Sequence, residues 1–294
     1  MNASRNLALI LLTAAVGAAQ AQDRGVNAND VNTSSRITGS ITQSAAGVSS
    51  GGGTTRQSIG VGGLTGRIDA NNLTVTGNVF GSVNQTTAGP SRQSIDIGVV
   101  NGTLDARNVR LDGTLVGNVT QNALGAVTQR IGIGSVQGVV DARDITATGR
   151  VAALITQTGA GNNQSDRQLI LVGGVNNATG RDLNLTGTVG GVVNQVSTST
   201  IGGDNDQRLL VGSVNDADTR DVTTNATVIG AVTQAAGSGL GGRNLQTINV
   251  GSVNNASVRN VSTFVVVGGA VSQIGASAGS ENSQKINLGG IDGR

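Results

Sequence analysis

Hydrophobic and polar residues alternate along most of the chain, in two kinds of segment. In residues 73–85, apolar or glycine positions take turns with threonine and asparagine, which is typical of a strand that buries one face. The segment before it, residues 57–70, alternates in the same way but slips by one residue at Gly62-Gly63. A slip at glycine inside an alternating run predicts a bulge or a bend. The pattern therefore predicts two strand segments, here called the first arm (57–70) and the second arm (73–85).

The two arms recur along the chain, and two series of glutamines mark each recurrence. One series opens the first arm, and its members are Gln57, Gln93, Gln129, Gln168, Gln207, Gln246 and Gln284. The other closes the second arm, and its members are Gln43, Gln85, Gln121, Gln157, Gln195, Gln234 and Gln273. From an opening glutamine to the next closing one the distance is 27 or 28 residues, whereas the segment that follows varies from 8 to 14. A fixed segment that alternates with a loop of free length predicts a stacked repeat protein.

The polar pair between the arms distinguishes two ways of stacking. In a β-solenoid the backbone hydrogen bonds join one repeat to the next, whereas in a meander each repeat is a hairpin bonded within itself. Pairs such as Arg143-Asp144 are poor in tight two-residue hairpins, which prefer Asn-Gly or Asp-Gly. We therefore predict an all-β solenoid of about seven strand–turn–strand units, 36–39 residues each, with Val, Ile, Leu, Gly and Gln facing inward. Identical glutamines about 4.8 Å apart would form hydrogen-bonded ladders along the stack.

Folding the second arm onto the first about this polar pair predicts which residues face each other. Ile68 meets Val75, and Leu64 meets Val79. From the fourth unit on, one residue is missing, and the sequence places the deletion in the turn. Because the chain has 47 glycines and only 1% aromatic residues, the two backbones must approach closely for the arms to pack.

The two ends of the chain have the sequences of complementary half units. Residues 26–43 align with a second arm that lacks its first, and residues 284–294 align with a first arm that lacks its second. Head-to-tail stacking of identical subunits would complete both halves and give an open filament. The residues predicted at this joint are Val26, Val31, Ile37, Ile41, Ile286, Leu288, Ile291 and Arg294. The alternative is that the two ends meet within one chain and close a ring or a barrel.

Residues 1–21 predict a secretory signal peptide, which precedes a single repeat domain, residues 22–294. Arg5 supplies the positive charge, residues 7–16 the apolar run and Ala19-Gln20-Ala21 the cleavage site. The domain has no cysteine, so its stability depends on packing and hydrogen bonds and not on disulfides. Without Arg5 the formal charge is 18 − 17 = +1, which gives no basis for specific nucleic-acid binding.

A family resemblance is carried by the glutamine spacing and the loop between two glutamines. Residues 157–168 begin with Gln-Thr-Gly-Ala-Gly-Asn and end with a glutamine eleven residues after the first, a spacing shared by Gln273 and Gln284. This segment resembles the repeat of curli-type bacterial amyloid subunits, Gln-x-Gly-x-x-Asn-x-Ala with a second Gln eleven residues after the first. The resemblance implies a subunit that is secreted in soluble form and assembles outside the bacterial cell. It also implies a nucleator or an outer-membrane secretion channel as partner, and a role in biofilm matrix and adhesion.

The composition offers few groups for catalysis. The chain lacks His, Cys and Tyr, and no serine has a recognisable base, so we predict neither an enzyme nor a cofactor or metal site. Asp69, Asp105 and Asp141 recur at one position, where an outward polar row is favoured over a catalytic or metal-binding one. A structural loop is likewise favoured over a Ca²⁺ site at residues 202–206. An arginine row at the turn predicts a solvated edge or a site for anionic polysaccharide or extracellular DNA, and its members are Arg107, Arg143, Arg181, Arg220 and Arg259.

Together these features predict a non-enzymatic, exported subunit that polymerises with copies of itself into a fibre outside the cell or on its surface. Two alternatives remain open. An outer-membrane barrel of about fourteen strands would also alternate short turns with longer loops, although this chain lacks the aromatic girdles of such barrels. A closed, soluble β ring would instead bind carbohydrate through its variable loops.

Overall fold

Every regular element in the described part of the chain is a β-strand. The computed structural model describes residues 26–46, 54–161, 165–278 and 281–293, so the predicted signal segment 1–21 lies outside the described residues. In chain order the strands are β1 (Val26–Ile37), β2 (Ile41–Ala46), β3 (Thr55–Val61), β4 (Leu64–Phe80), β5 (Val83–Ala88), β6 (Ser91–Ile97), β7 (Val100–Val116), β8 (Val119–Leu124), β9 (Val127–Ile133), β10 (Val136–Ala152), β11 (Leu154–Gly161), β12 (Asp166–Val172), β13 (Val175–Val189), β14 (Val192–Ile201), β15 (Asn205–Val211), β16 (Val214–Val228), β17 (Val232–Leu240), β18 (Asn244–Val250), β19 (Val253–Val267), β20 (Val271–Ser277), β21 (Asn282–Leu288) and β22 (Ile291–Gly293). The described ranges contain no helix long and apolar enough to cross a membrane.

The strands stack in parallel, and each one pairs with the strands one coil before and one coil after it. Sheet A has the order β1-β4-β7-β10-β13-β16-β19-β22, sheet B the order β2-β5-β8-β11-β14-β17-β20, and sheet C the order β3-β6-β9-β12-β15-β18-β21. One strand from each sheet makes a coil, so β4 to β21 form six complete coils. At one end β1–β3 form a shorter N-terminal coil, in which β1 has 12 residues against 17 in β4, and β22 lies at the other end. The chain is therefore a parallel β-solenoid of about six turns, which confirms the predicted fold class.

Each coil has three strands, where the sequence predicts a strand–turn–strand unit. The long strand of sheet A contains the end of the first arm, the polar turn and the start of the second arm, as β4 does around Asn71-Asn72. The number of complete turns is also about six and not seven.

All strand pairs are parallel, and β1 and β22 lie at opposite edges of sheet A. This open topology disfavours the barrel of about fourteen strands, and among the described strands no sheet closes on itself.

The interior contains two apolar cores, which lie on either side of a close backbone approach between the two arms. The core between the two halves of the long strand, here called the bend core, includes Ile68, Leu73 and Val75. The core between the end of the long strand and sheets B and C, here called the corner core, includes Val79 and Ile95. Each of these five side chains is at most 1% exposed. Full burial of one such aliphatic side chain stabilises the fold by about 1.5–3 kcal/mol.

Glycine is required where the two cores meet, because the backbones touch there. A Cβ atom on Gly77 would lie 2.1 Å from the carbonyl oxygen of Val61, and one on Gly134 would lie 1.7 Å from that of Thr148. The predicted phase slip occurs at a column of glycines whose φ angles lie between 53° and 65°. Its members are Gly62, Gly98, Gly134, Gly173, Gly212, Gly251 and Gly289. A residue with a side chain is strained in this left-handed conformation.

The predicted facing of the two arms is correct near the turn and wrong beyond it. Ile68 and Val75 lie in the same core, as the sequence predicts. Leu64 lies in the bend core, whereas Val79 lies in the corner core, so these two residues do not face each other. The reason is the glycine contact, which separates the cores at a point that the alternation alone does not reveal.

The residue missing from the fourth unit on is absent from a bulge and not from the turn. Gly138-Val139 in β10 stands opposite the single residue Asn177 in β13, whereas the turn residues Asp144 and Asp182 remain paired. Asn177 has a φ of 65°, in the left-handed region that asparagine adopts more readily than most residues. The turn therefore keeps its length and register through all the coils.

Replacing Gly134 with alanine should destabilise the solenoid, because the residue has a φ of 53° and a Cβ there would overlap the facing backbone. We expect Gly134→Ala to lower the free energy of unfolding by about 3 kcal/mol or more. Gly60→Ala is the matched control, since a Cβ at Gly60 meets no atom within 4 Å. Urea unfolding followed by circular dichroism compares the two variants, and equal losses would contradict this explanation.

Candidate assembly interface

Two unbroken ladders of glutamine side chains run along the inside of the solenoid. In each ladder the Nε2 group of one glutamine donates to the Oε1 atom of the equivalent glutamine one coil earlier, at 2.7–3.0 Å. The ladder of sheet B runs from Gln43 to Gln273, and the ladder of sheet C runs from Gln57 to Gln284. The inward glutamine ladders predicted from the sequence are therefore confirmed.

The same amides also join sheet B to sheet C across the interior. Gln129 in β9 donates a further hydrogen bond to the carbonyl oxygen of Thr158 in β11, at 3.1 Å. In the opposite sense, Gln195 in β14 donates to the carbonyl oxygen of Arg208 in β15, at 3.3 Å. A buried polar group left without a partner costs about 1–3 kcal/mol. The ladders therefore hold both the coils and the two sheets in one register.

The ladders have a direction, which gives the two ends of the solenoid different chemistry. Gln43 and Gln57, at the N-terminal end, each accept from the next coil and donate one N–H to a backbone carbonyl. An amide has two N–H donors, and the other donor of each has no partner among the described residues. At the C-terminal end, the Oε1 atoms of Gln273 and Gln284 accept no hydrogen bond within the described ranges. One end thus offers amide donors, and the other offers amide acceptors.

The C-terminal end also leaves the apolar interior uncovered. Ile286 stacks on Ile248, which is fully buried, yet Ile286 itself is 42% exposed. Leu288 and Ile291 stand in inward columns too, and they are 49% and 58% exposed. The exposure arises because no described strand covers β20 and β21, while β22 covers only the first residues of β19. An exposed apolar surface of this kind makes the C-terminal edge a candidate interaction site.

The register of the stack makes the N-terminal coil a match for this open edge. Val31 belongs to the column that ends at Val261, and Ile41 belongs to the column that ends at Val271. A strand identical to β1 laid on β19 would therefore place Thr33 on Thr263 and Ile37 on Val267, in columns of like residues, whereas Ser35 would lie on Val265.

The residues predicted at the joint fall on the two end coils. In the N-terminal coil Ile37 is buried, and Val31 and Ile41 are half-buried. For Val26 the structure describes the backbone, which pairs with Ile68. Arg294 lies outside the described residues.

A third buried ladder is absent from the sequence prediction. Asn205 donates to Asn244 at 2.8 Å, and Asn244 donates to Asn282 at 2.7 Å, so this ladder runs in the direction opposite to the glutamines. The signal for it was present, because each of these asparagines stands two residues before an opening glutamine. Asp166 occupies the same position one coil earlier.

The predicted arginine row lies at the polar turn of sheet A, and its charge is mixed with carboxylates. Among the described residues, none of its five members forms an ion pair. The carboxyls of Asp144, Asp182 and Asp221 stack beside the row, and hydrogen bonding with Asp144 raises the pKa of Asp182. A depression of about 420 Å³ includes residues of the predicted aspartate row and of the arginine row, Asp105 and Arg107 among them. Binding of anionic polysaccharide to this edge stays a prediction.

The two acidic groups of residues 202–206 pair with different arginines. Asp204 bonds to Arg243, and this hydrogen bond lowers the pKa of Asp204. Asp206 pairs with Arg208 at 2.9 Å on the outer face, whereas Asn205 is buried inside. Within the described residues, no group of three or more His, Cys, Asp or Glu side chains is placed to hold a metal ion.

Comparisons with protein-family models, with curated proteins and with solved structures gave no match to this chain. The function must therefore be inferred from the chain's own geometry. Among the described residues, the most distinctive surfaces are the two ends of the solenoid, where edge strands and ladder amides lack a neighbouring coil. At the C-terminal end apolar side chains are exposed as well.

Breaking a glutamine ladder should lower the free energy of unfolding. We expect Gln121→Leu to lower the free energy of unfolding by about 3 kcal/mol, because it removes the partner of the Gln157 donor and that of the Gln85 acceptor. Asn122→Ala, on the exposed face of the same strand, is the control and should change stability by less than about 0.5 kcal/mol. Chemical denaturation measures both values, and a similar small effect in both would mean that the ladder does not contribute to stability.

Proposed function

We propose that this chain is a structural repeat subunit that is exported and joins end to end with copies of itself into an extracellular fibre. The observation that carries the proposal is the uncovered C-terminal edge, with Ile286, Leu288 and Ile291 half exposed in columns that are otherwise buried. Unpaired edge strands are sites where another chain can add a strand. Here the chain that fits best is a second copy.

A second copy would continue the stack with its own N-terminal coil. Its β1 would pair with β19, its β2 with β20 and its β3 with β21, so that all three sheets extend in parallel. The free N–H groups of its Gln43 and Gln57 would meet the free oxygens of Gln273 and Gln284. Burying three half-exposed aliphatic side chains contributes about 1 kcal/mol each, in addition to the backbone and amide hydrogen bonds. Because such a contact is not closed by symmetry, it repeats without limit and yields a filament.

The sequence supports an extracellular setting for this fibre. The signal segment 1–21 favours export, and the glutamine spacing that resembles curli-type repeats favours a role in biofilm matrix or adhesion. A nucleator or an outer-membrane secretion channel remains an expected partner. The arginine row along the turn is the surface on which we expect anionic polysaccharide to bind.

A charge at the uncovered edge should stop elongation. We expect Ile286→Lys to remain monomeric at concentrations where the unaltered chain forms fibres, because the ammonium would be buried at the joint without a partner. Ile229→Lys is the matched control, since Ile229 is 62% exposed on the side of the solenoid, one coil before the uncovered edge. Light scattering and electron microscopy follow assembly, and circular dichroism establishes that both variants keep their β structure.

The Ile286→Lys variant also tests the direction of growth. It retains a normal N-terminal coil, so it should add to the C-terminal end of a growing fibre and then block that end. Small amounts mixed with the unaltered chain should therefore shorten the fibres, whereas Ile229→Lys should be incorporated without effect. Fibres of normal length in the first mixture, or an unaltered chain that never polymerises, would contradict the proposal.

A further inference from the structure

The asparagine ladder begins at a carboxyl group that is enclosed by the solenoid. Asp166 is 0% exposed and stacks between Val127 in β9 and Asn205 in β15. Across the interior it faces Gly159 in β11 and Ser197 in β14. All of these neighbours are uncharged.

The charged side chains of the adjoining strands lie on the outer face. They alternate with the inward residues of β9, β12 and β15, and the exposed or part-exposed members are Arg130, Arg167, Asp206 and Arg208. Among the described residues, no cation therefore compensates a negative charge on Asp166. A buried charge without a partner is strongly unfavourable, and such a group tends to become neutral.

The hydrogen bonds around Asp166 can be assigned one proton at a time. The Oγ atom of Ser197 lies 2.6 Å from Oδ1 of Asn205 and 3.1 Å from Oδ2 of Asp166. A hydroxyl has a single proton, and the shorter contact to Asn205 requires it. Oδ2 of Asp166 then faces a lone pair of Ser197, and only a proton on Asp166 makes that contact favourable.

Asn205 cannot supply the proton for its own contact with Ser197. Its two N–H groups donate to the carbonyl oxygen of Gly237 at 2.9 Å and to Oδ1 of Asn244 at 2.8 Å. Rotating its amide by half a turn would place an oxygen against both acceptors. Oδ1 of Asp166 is also buried and has no hydrogen-bond partner. Both contacts of the Ser197 hydroxyl are hydrogen bonds when Asp166 donates to Ser197 and Ser197 donates to Asn205.

We propose that Asp166 is a neutral, proton-bearing acid in the folded chain, that it closes the asparagine ladder as a donor, and that it makes this solenoid more stable in mildly acidic than in neutral solution. The middle coils are then the part of the molecule that responds to pH. Loss of the proton leaves a carboxylate without a cation inside the stack, between β9 and β15.

The direction of the pH effect follows from linkage. Burial raises the pKa of Asp166 to about 6 from the usual 3.8, against smaller lowering effects of the Ser197 hydroxyl and of the backbone at Val127 and Gly161. Between these two values the folded chain binds the proton more tightly than the unfolded chain does. The contribution of Asp166 to stability therefore rises as the pH falls from about 7 towards 4, and this contribution is constant above and below that window. The corresponding change in the folding equilibrium constant is on the order of 100-fold at most.

The test compares the full chain with Asp166→Asn, which places in this column the amide that Asn205 and Asn244 already provide. Urea unfolding between pH 4.5 and 7.5, about the window above, should show the unaltered chain gaining stability on acidification, whereas the variant should gain less, by the contribution of Asp166, and be at least as stable at the highest pH. Asp96→Asn is the control for the other buried carboxyl, whose pKa burial raises and whose partner Arg130 opposes that rise. This substitution should leave the contribution of Asp166 to the pH dependence of stability unchanged.

A second measurement identifies the proton directly. In the chain labelled with ¹³C at the aspartate carboxyls, one resonance should titrate near pH 6, and this resonance should be missing in Asp166→Asn. Amide hydrogen exchange, compared between the unaltered chain and Asp166→Asn at one fixed pH, should place the difference in protection in β11 to β15. Equal pH slopes for the unaltered chain and Asp166→Asn, or titration of that carboxyl near pH 4, would overturn the inference.

Discussion

Register is the constraint on which the rest of the structure depends. Parallel pairing about 4.8 Å apart places each side chain over its equivalent in the coil below, so an inward position must hold a residue that is compatible with a copy of itself. Glutamine satisfies this requirement because its amide is both donor and acceptor, whereas stacked carboxylates repel each other. A slip of one residue would also turn every inward side chain outward. Amide ladders and apolar columns therefore select the same register for independent reasons.

The close approach of backbones within a coil explains the composition. At the column of Gly77 the two halves of the coil touch, which leaves room for aliphatic side chains on either side and none for large rings. The chain accordingly has 47 glycines, and both of its phenylalanines, Phe80 and Phe264, are partly exposed at 37% and 62%. Without large side chains, each core is thin, and it gains its size by repetition along the axis. The interior is therefore open wherever the repetition stops, as it is at the C-terminal edge.

The sequence predicts the parts of this fold that follow from periodicity. Alternation and glutamine spacing identify the strands, the parallel stack and both glutamine ladders, because inward residues recur at a fixed interval. The corner between sheets B and C is not predictable in this way, since it lies in the segment of variable length. The position of the missing residue is ambiguous for a similar reason: a deletion in the bulge at Gly138-Val139 and one in the turn leave the same alternation downstream. The ladder from Asn205 is harder to detect because it exists only in the later coils.

The opposite directions of the amide ladders bear on how two ends can meet. At the C-terminal end, Gln273 and Gln284 present oxygens, while Asn282, at the end of a reversed ladder, presents an N–H. Two such ends face to face would place oxygen against oxygen. The N-terminal end instead offers glutamine N–H groups, and in the column of Asn282 it has Thr55, whose hydroxyl oxygen is an acceptor. The columns of Gln273, Gln284 and Asn282 are all complementary only when the C-terminal end of one subunit meets the N-terminal end of another. A filament built from this solenoid is therefore polar, with two chemically different ends, and its direction is fixed by the orientation of side-chain amides within each subunit.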